Sequence, residues 1–468
     1  MLSVPSVPSE VPPDRLPHGQ LSVKSCSLDF GTGIAQVFCP LCQAPMIEPR
    51  PNYRLPTIDD RGPTYAVWEV TLRCNQACRF CGTRAGRAAS DELDTPASIE
   101  LIRQLADLGV REVSMHGGEA YLRRDFFQMV REIRRLGMAA TLVTGGRGLT
   151  LDVAREMKAV DITAVSLSID GPRAVHDRLR GFEGSFDHAT AALGHLESVG
   201  ISVGTNTQVN RENLFELEAL YETLRLHPLY GWMVQLMVPM GRAADEPGLW
   251  LQPYDLLDLM PILAKLRIRA DSDRIPLWPG DNVGYFGPFE DLLRGDRVPG
   301  GCSSGCGGGV LAIGIEANGD IKGCSAMASE GFVAGNIRRH SLRQLWDEAA
   351  EMKLARCFER ERLWGYCASC YYGDECKAGC IWTANTILGR YGNNPYCHHR
   401  ALEHLRRGER ERLRRVRAAP GKNRDCALFV LETESAPKDW IERMCSLNQV
   451  PLPSSPPSIA TFTEEGPP

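Results

Sequence analysis

From residue 64 onward, six short apolar runs alternate with amphipathic stretches, and this alternation narrows the possible folds more than any other feature of the chain. YAVWEVTLR, EVSMHGG, AATLVTGG, AVSLSIDG, SVGTNTQVN and WMVQLMVPM read as strands. PASIELIRQLADLG, RDFFQMVREIRRLG and SFDHATAALGHLESVG, which lie between them, have helical periodicity. Each of these helical segments ends at Gly109, Gly137 or Gly200, where a left-handed cap is expected. Strands that alternate with helices pair in parallel, so the chain is predicted to be α/β, either an open doubly wound sheet or a barrel, closed or partial. In both, ligands gather at the C-terminal ends of the strands. The residues with chemical potential fall there: Cys74 after the first strand, Gly117, Gly118 and Glu119 after the second, Thr144 with Gly145 and Gly146 after the third, and Ser168 to Gly171 after the fourth.

How the 17 cysteines are read depends on compartment. The start, MLSVPSVPSEVPPDR, has neither a basic head nor an apolar core, and no uncharged apolar run reaches the roughly 18 residues of a membrane span. A cytoplasmic location without membrane contact is therefore expected. In a reducing compartment, closely spaced cysteines are metal ligands or catalytic thiols more often than disulfides. A net charge of −5 supplies no general basic field, and nucleic acid is not an expected partner. The local exception, RALEHLRRGERERLRRVR at 400–417, interleaves Arg with Glu and reads as a solvated helix face.

CNQACRFCGTRAG, residues 74–86, offers Cys74, Cys78 and Cys81 at spacings of four and three. Thiolates so placed can wrap a cubic iron–sulfur cluster from one loop, leaving one iron open for a ligand. A zinc site completed from elsewhere competes with that reading when the loop is taken alone. With the glycines that end the next strands, however, the loop resembles that of the radical S-adenosylmethionine (SAM) enzymes over residues 64–240. In that family C-x3-C-x-F-C, here with Phe80, holds the [4Fe–4S] cluster whose bare iron chelates SAM. HGGEAYLRRDF is similar to the family's GGE motif, which implies that Gly117, Gly118 and Glu119 bind the SAM amino group. SLSIDGPRAVHDRLRG resembles the stretch that contacts ribose and carboxylate. The likeness implies Ser168 and Asp170 near SAM, with Arg180 as a carboxylate partner or in a surface salt bridge. VTGG fills the slot where relatives carry Thr-Asn-Gly, so Thr144 is retained and Gly145 removes a side-chain contact. Gln235 and the GRA of 241–243 follow the sixth strand as in relatives, core packing being the alternative for Gln235. The implied fold is a partial (β/α)6 TIM-like barrel.

A second cysteine-dense region gives Cys302, Cys306 and Cys324, then C-x2-C-x5-C-x3-C at Cys367, Cys370, Cys376 and Cys380, with Cys397 to follow. Eight thiols suffice for two complete sites, of iron–sulfur or zinc type. The full spacing resembles the SPASM domain, an auxiliary-cluster extension of peptide-modifying radical SAM enzymes. That likeness implies two auxiliary [4Fe–4S] clusters, one on Cys302, Cys306, Cys324 and Cys380 and the other on Cys367, Cys370, Cys376 and Cys397. Fully ligated clusters suit electron transfer, with a structural role as the alternative. Cys357, Cys426 and Cys445 lack partner spacing and read as buried small residues. Cys26, Cys39 and Cys42 form either most of a zinc site or an inert knuckle.

The expected organisation is a disordered tail (1–20), an extension with the CxxC knuckle (21–63), the barrel (64–240), a linker or substrate-facing segment (241–300), the SPASM domain (301–400), a C-terminal helix and strand (401–449) and a second disordered tail (450–468). Sulfatase-maturing relatives carry Asp directly after the cysteine equivalent to Cys324. Here it is Ser325, which argues against formylglycine formation. The resemblance implies radical C–H chemistry on a ribosomally made peptide or small protein, giving oxidation, epimerisation or a cross-link. The general look is similar to the subfamily encoded beside GDL-motif peptides. The alternatives are radical oxidation of a small alcohol or amino-sugar, with PGDNVGYFGPFE (279–290) lining its pocket, and a non-catalytic electron-transfer protein. Expected partners are a flavodoxin- or ferredoxin-type electron donor and, if residues 21–62 do not recognise a leader, a separate protein that does.

Overall fold

The computed structural model describes residues 62–295, 305–453 and 462–464. The alternation becomes β1 (Tyr65–Glu69), α1 (Thr95–Leu108), β2 (Glu112–His116), α2 (Phe126–Arg135), β3 (Ala139–Thr144), α3 (Leu151–Ala159), β4 (Ala164–Ser168), α4 (Arg173–Arg180), α5 (Ser185–Ser198), β5 (Ser202–Val209), α6 (Leu217–Leu224) and β6 (Trp232–Leu236). Local chemistry sets the helix ends. Asp94 caps α1 by accepting from the Ala97 amide at 3.0 Å, and Gly109 closes it at φ 97°.

Two further parallel strands flank the six, β7 (Leu277–Pro279) beside β6 and β8 (Ala312–Ile315) beside β1. β9 (Asp320–Lys322) and β10 (Gly335–Asn336) continue the sheet antiparallel, in the order β10-β9-β8-β1-β2-β3-β4-β5-β6-β7. Among the described residues β10 and β7 do not pair, so the barrel is partial.

Burial alternates along the strands in a way that defines an interior. Ala66, Trp68, Val113, Met115, Ala140, Leu142, Trp232 and Val234 are almost wholly buried on the helix-covered side. Their neighbours Val67, His116, Val143, Asn206, Gln208 and Gln235, on the opposite face, are only half-buried. Successive side chains point to opposite faces of a strand. The concave face therefore borders a chamber into which mostly hydrogen-bonding side chains project.

Four expectations need correction. Segment 241–300 is not a linker: it carries the 17-residue helix α7 (Leu256–Ser272), whose Leu256, Leu259, Leu263 and Leu266 pack into the main core, and then β7. The basic stretch 400–417 is not one solvated helix. A helix, His398–Arg406, ends before Gly408 (φ 72°), and residues 409–417 form β11 (Glu409–Arg417), antiparallel to β12 (Leu428–Ser435). In the strand the Arg and Glu residues alternate with period two. Arg410 pairs with Glu434 at 2.8 Å and Arg412 with Glu432 at 2.9 Å, while Arg400 and Glu411 are buried together in a two-point ion pair at 2.6 Å. The C-terminal tail is not wholly disordered, because Phe462–Glu464 adds a short strand to the free edge of β12. Finally, Cys357 is exposed rather than buried, whereas Cys445 is buried. Among the described residues no helix is long and apolar enough to cross a membrane.

Candidate functional site

The three-cysteine loop leaves the end of β1 and is held by side chains at its base. Glu92 accepts from Thr71 Oγ1 (2.9 Å) and from the Leu72 and Ala89 amides (2.8 and 3.0 Å), and the Cys74 amide donates to the Gly86 carbonyl at 2.9 Å. Arg242, from the GRA that follows β6, donates to the Cys78 carbonyl (Nε, 2.7 Å) and the Ala85 carbonyl (Nη1, 3.1 Å), and its amide donates to the Cys81 carbonyl. Gly241 permits that approach: its φ is 58°, and a Cβ there would lie 2.2 Å from the Gly82 carbonyl oxygen. Phe80 is buried, with the Arg180 guanidinium 5.2 Å from its ring centre.

Against this loop stands the turn after β2. The Gly118 and Glu119 amides donate to the Thr71 and Arg73 carbonyls at 2.8 and 2.7 Å. Gly117 adopts φ 139°, and a Cβ on it would sit 2.3 Å from the Thr71 carbonyl oxygen. Glu119 accepts from the Gly145 amide at 2.7 Å and from Thr144 Oγ1. Burial pushes its carboxyl up to about 7, against the pull of Thr144, Gly145 and Arg180. On the facing side, Arg180 is buried. Burial opposes its charge, and Asp170 (2.5 Å) and Cys78 (Nη1 to Sγ, 3.6 Å) more than restore it. It is therefore no surface salt bridge. Asp170 is fully buried and also accepts from the Gln208 amide at 2.9 Å, so it acts by fixing Arg180. Ser168 and Gln235 are half-buried on the chamber wall, where Gln235 Nε2 lies 2.9 Å from Met233 Sδ.

The thiols gather in three sets. Cys74 is pushed up to about 12, chiefly by burial, then by Glu119 and by Cys78 and Cys81 beside it. Burial also raises Cys78, against Arg180. Cys306 is pushed up to about 12 by burial and by Cys324, and Cys380 is raised by burial and then by Cys306, with Cys324 adding to it. Cys376 is raised by burial and by Cys397, Cys367 and Cys370. These last four line one cavity together with Phe286, Tyr366 and Tyr372. Cys302, Cys26, Cys39 and Cys42 lie outside the described residues. Cys376 and Cys380 join different sets although only four positions apart, because Lys377, Ala378 and Gly379 all take positive φ (52°, 60° and 61°) and reverse the chain between them. Tyr285 secures that turn: its hydroxyl donates to the Asp281 carbonyl (2.6 Å) and accepts from the Cys380 amide (3.0 Å). Segment 279–290 thus packs on the second cysteine region.

Burial and crowding hold these thiols neutral, and a bound metal centre, which takes them as thiolates, would supply the charge that their ionised forms lack. Among the described residues no three Cys, His, Asp or Glu side chains close to single-ion spacing. Three wider thiol sets fit multi-iron clusters, each sulfur holding a different iron.

Gln76 carries no motif, yet it occupies the space freed by Gly145. Its Nε2 donates to the Gly145 carbonyl (3.4 Å), the Cys78 thiol lies 3.5 Å from its Oε1, and a Cβ on Gly145 would sit 2.6 Å from the Gln76 amide. Arg424 was equally silent in the sequence. It is buried at φ 55° and donates to Glu69 Oε2 at 2.6 Å and to the Ser325 carbonyl. Lys322, fully buried, pairs with Glu316 at 2.6 Å.

A cysteine loop at the mouth of a partial barrel, a glycine–glutamate cradle beside it and two further thiol sets define a radical SAM enzyme with auxiliary clusters. The radical SAM superfamily matches residues 68–224, and an iron–sulfur cluster-binding domain, SPASM, matches residues 306–371. The mycofactocin maturase MftC of Mycolicibacterium smegmatis is 30% identical over 72% of this chain and 83% of its own. The AdoMet-dependent heme synthase of Nitratidesulfovibrio vulgaris is 27% identical over 73% and 94%. The structure of Streptococcus suis SuiB bound to precursor peptide SuiA superposes with a TM-score of 0.57 at 17% identity, covering 72% and 75%. The chain belongs to the radical SAM superfamily and carries a SPASM domain; its cofactors are SAM, a [4Fe–4S] cluster and auxiliary iron–sulfur clusters.

Proposed function

We propose that this enzyme oxidises, epimerises or cross-links a side chain of a ribosomally made peptide or small protein. SAM bound with its cluster supplies a 5′-deoxyadenosyl radical that takes a hydrogen atom from substrate. Cys74, Cys78 and Cys81 hold the cluster. Backbone carbonyls of the Gly117–Gly118 turn and the Glu119 carboxylate receive the SAM amino group, with Thr144 orienting Glu119. Arg180, fixed by Asp170, faces the SAM carboxylate, and Phe80, Ser168 and Gln235 complete the pocket. Cys306, Cys324 and Cys380 with Cys302, and Cys367, Cys370, Cys376 and Cys397, would hold auxiliary clusters, which would supply electron transfer to or from a low-potential donor or the substrate.

The observation that carries the peptide reading is the chemistry of the chamber. Its half-buried lining offers Ser168, Asn206, Gln208 and Gln235, neutral groups that match peptide amides. The buried cations Arg180, Arg424 and Lys322 are each paired with a carboxylate, which leaves none of the three for the propionate groups of a tetrapyrrole. The names of the maturase relative and of the peptide-bound SuiB point the same way. The test is 5′-deoxyadenosine release by the anaerobically reconstituted enzyme under strong reductant, with and without short peptides encoded beside its gene. Stimulation by one peptide, with a mass change in it, is expected. Stimulation by a porphyrin or small alcohol, and by no peptide, would refute the reading.

A further inference from the structure

His116 ends β2, one residue before the glycine cradle. Its Nε2 is 2.9 Å from Ser114 Oγ, two residues back on the same face of the strand. His116 is only partly buried although it lies deep in the protein, and it stands on the strand face that borders the chamber. One nitrogen is anchored and the ring is open to substrate, the arrangement of an imidazole positioned for proton transfer.

Its surroundings link it to the glycine cradle and, through Arg424, to the loop after Cys324. On one side stand Gly117, Gly118 and Glu119. On the other, Arg424 reaches in from the C-terminal segment, close enough to act on the imidazole, and ties the Ser325 carbonyl, next to Cys324, to Glu69 on β1. The charged groups around the ring are thus Arg424, with Glu69 from β1 and Glu316 and Lys322 from β8 and β9 beyond it. Burial and the Arg424 charge lower His116 to about 4, so the resting ring is neutral at physiological pH and a proton it takes is readily passed on. No carboxylate follows Cys324, since position 325 is Ser.

We propose that His116 is the proton acceptor of the oxidation, with Ser114 as its positioning residue. The substrate C–H bond breaks homolytically and its hydrogen atom goes to the 5′-deoxyadenosyl carbon. The bond between a proton and the adjacent heteroatom then breaks heterolytically, the proton going to the free nitrogen of His116. Of the three electrons left, two form the new C=X π bond and the third reduces an oxidised auxiliary cluster held by Cys306, Cys324 and Cys380. The inference rests on radical SAM oxidation but not on a peptide being the substrate.

Two measurements test it. In the first, the anaerobic holoenzyme is treated with diethyl pyrocarbonate from pH 5.5 to 7.5 and its histidine peptides are mapped by mass. His116 is expected to be carbethoxylated at a nearly constant rate, whereas an ordinary imidazole slows about tenfold over that interval on protonation. An unreactive His116, or one that slows tenfold, overturns the proposal. In the second, His116→Gln and Ser114→Ala are compared with wild type on the stimulating substrate. The ratio of 5′-deoxyadenosine to oxidised product is expected to rise at least tenfold in His116→Gln and less in Ser114→Ala. If both products fall together in both variants, His116 only supports the fold and the proposal is wrong. Should no peptide stimulate the wild-type enzyme, the peptide reading fails alone, and the carbethoxylation result still decides for or against His116.

Discussion

Glu119 shows how a single side chain couples the cradle to pH. Its carboxyl is pushed up to about 7 by burial, so in the empty cradle it is half protonated near neutrality. A cationic amino group binds only the ionised form, and its arrival drives the proton off. Binding therefore weakens as pH falls through that value, by about tenfold between pH 8 and 6. Equilibrium titration with SAM at a series of pH values checks this, and Glu119→Gln should bind more weakly with a flat profile. Cys78→Ala is expected to abolish 5′-deoxyadenosine formation while metal analysis finds most of the iron retained; surviving turnover would exclude this loop as the SAM site. At this scale the sequence was most legible where ligands follow one another on one loop, as Cys74, Cys78 and Cys81 do. Gln76 was not legible, because its task arises from a space that Gly145 vacates on another strand.

At the scale of elements, the alternation of strands and helices over 64–240 was readable because outward-facing apolar residues recur with the period of each element. The stretch 400–417 misled because Arg and Glu interleaved around Gly408 satisfy helical and strand periods alike. Tertiary pairing decides it. Arg400 from the helix His398–Arg406 and Glu411 from β11 are 1% and 3% exposed and bond at two points, with Asn393 completing the guanidinium at 2.6 Å. Arg400→Met leaves Glu411 buried with His404 alone beside it and should cost about 3 kcal/mol, whereas Arg400→Met with Glu411→Leu should recover most of that loss in thermal or denaturant unfolding. Arg400 and His404 outweigh burial and hold the Glu411 carboxyl down to about 2. The pair's stabilisation is thus complete above the ordinary carboxyl range near pH ~4.3 and drains away as pH falls from there through about 2. A double variant that remained as unstable as the single would show that the strand, not the ion pair, carries the stability.

For the molecule as a whole, what no local pattern could announce is the meeting of the first barrel strand with the segment that follows β11. Arg424 and Glu69 are 355 residues apart, yet they bond at 2.6 Å with both side chains 6% exposed, and Arg424 keeps a left-handed backbone to get there. The same guanidinium holds the Ser325 carbonyl, so one residue fastens the C-terminal segment, the loop after Cys324 and the first barrel strand together. Glu69 is raised by burial even with Arg424 to oppose it. In Arg424→Met the carboxyl loses its main counter-charge and is raised further. A carboxyl raised in the folded state takes up a proton on folding, so the variant should gain stability as pH falls from 8 to 5, an interval in which the lowered Glu411 carboxyl contributes no trend. Its deficit at pH 8 should be about 3–5 kcal/mol, as for other severed buried pairs, and Arg424→Met with Glu69→Met should regain most of it. Unfolding curves of the three proteins at pH 5, 6, 7 and 8 supply the check. Parallel pH profiles for wild type and Arg424→Met would mean that Glu69 does not depend on Arg424, and that the two segments are joined by packing rather than by charge.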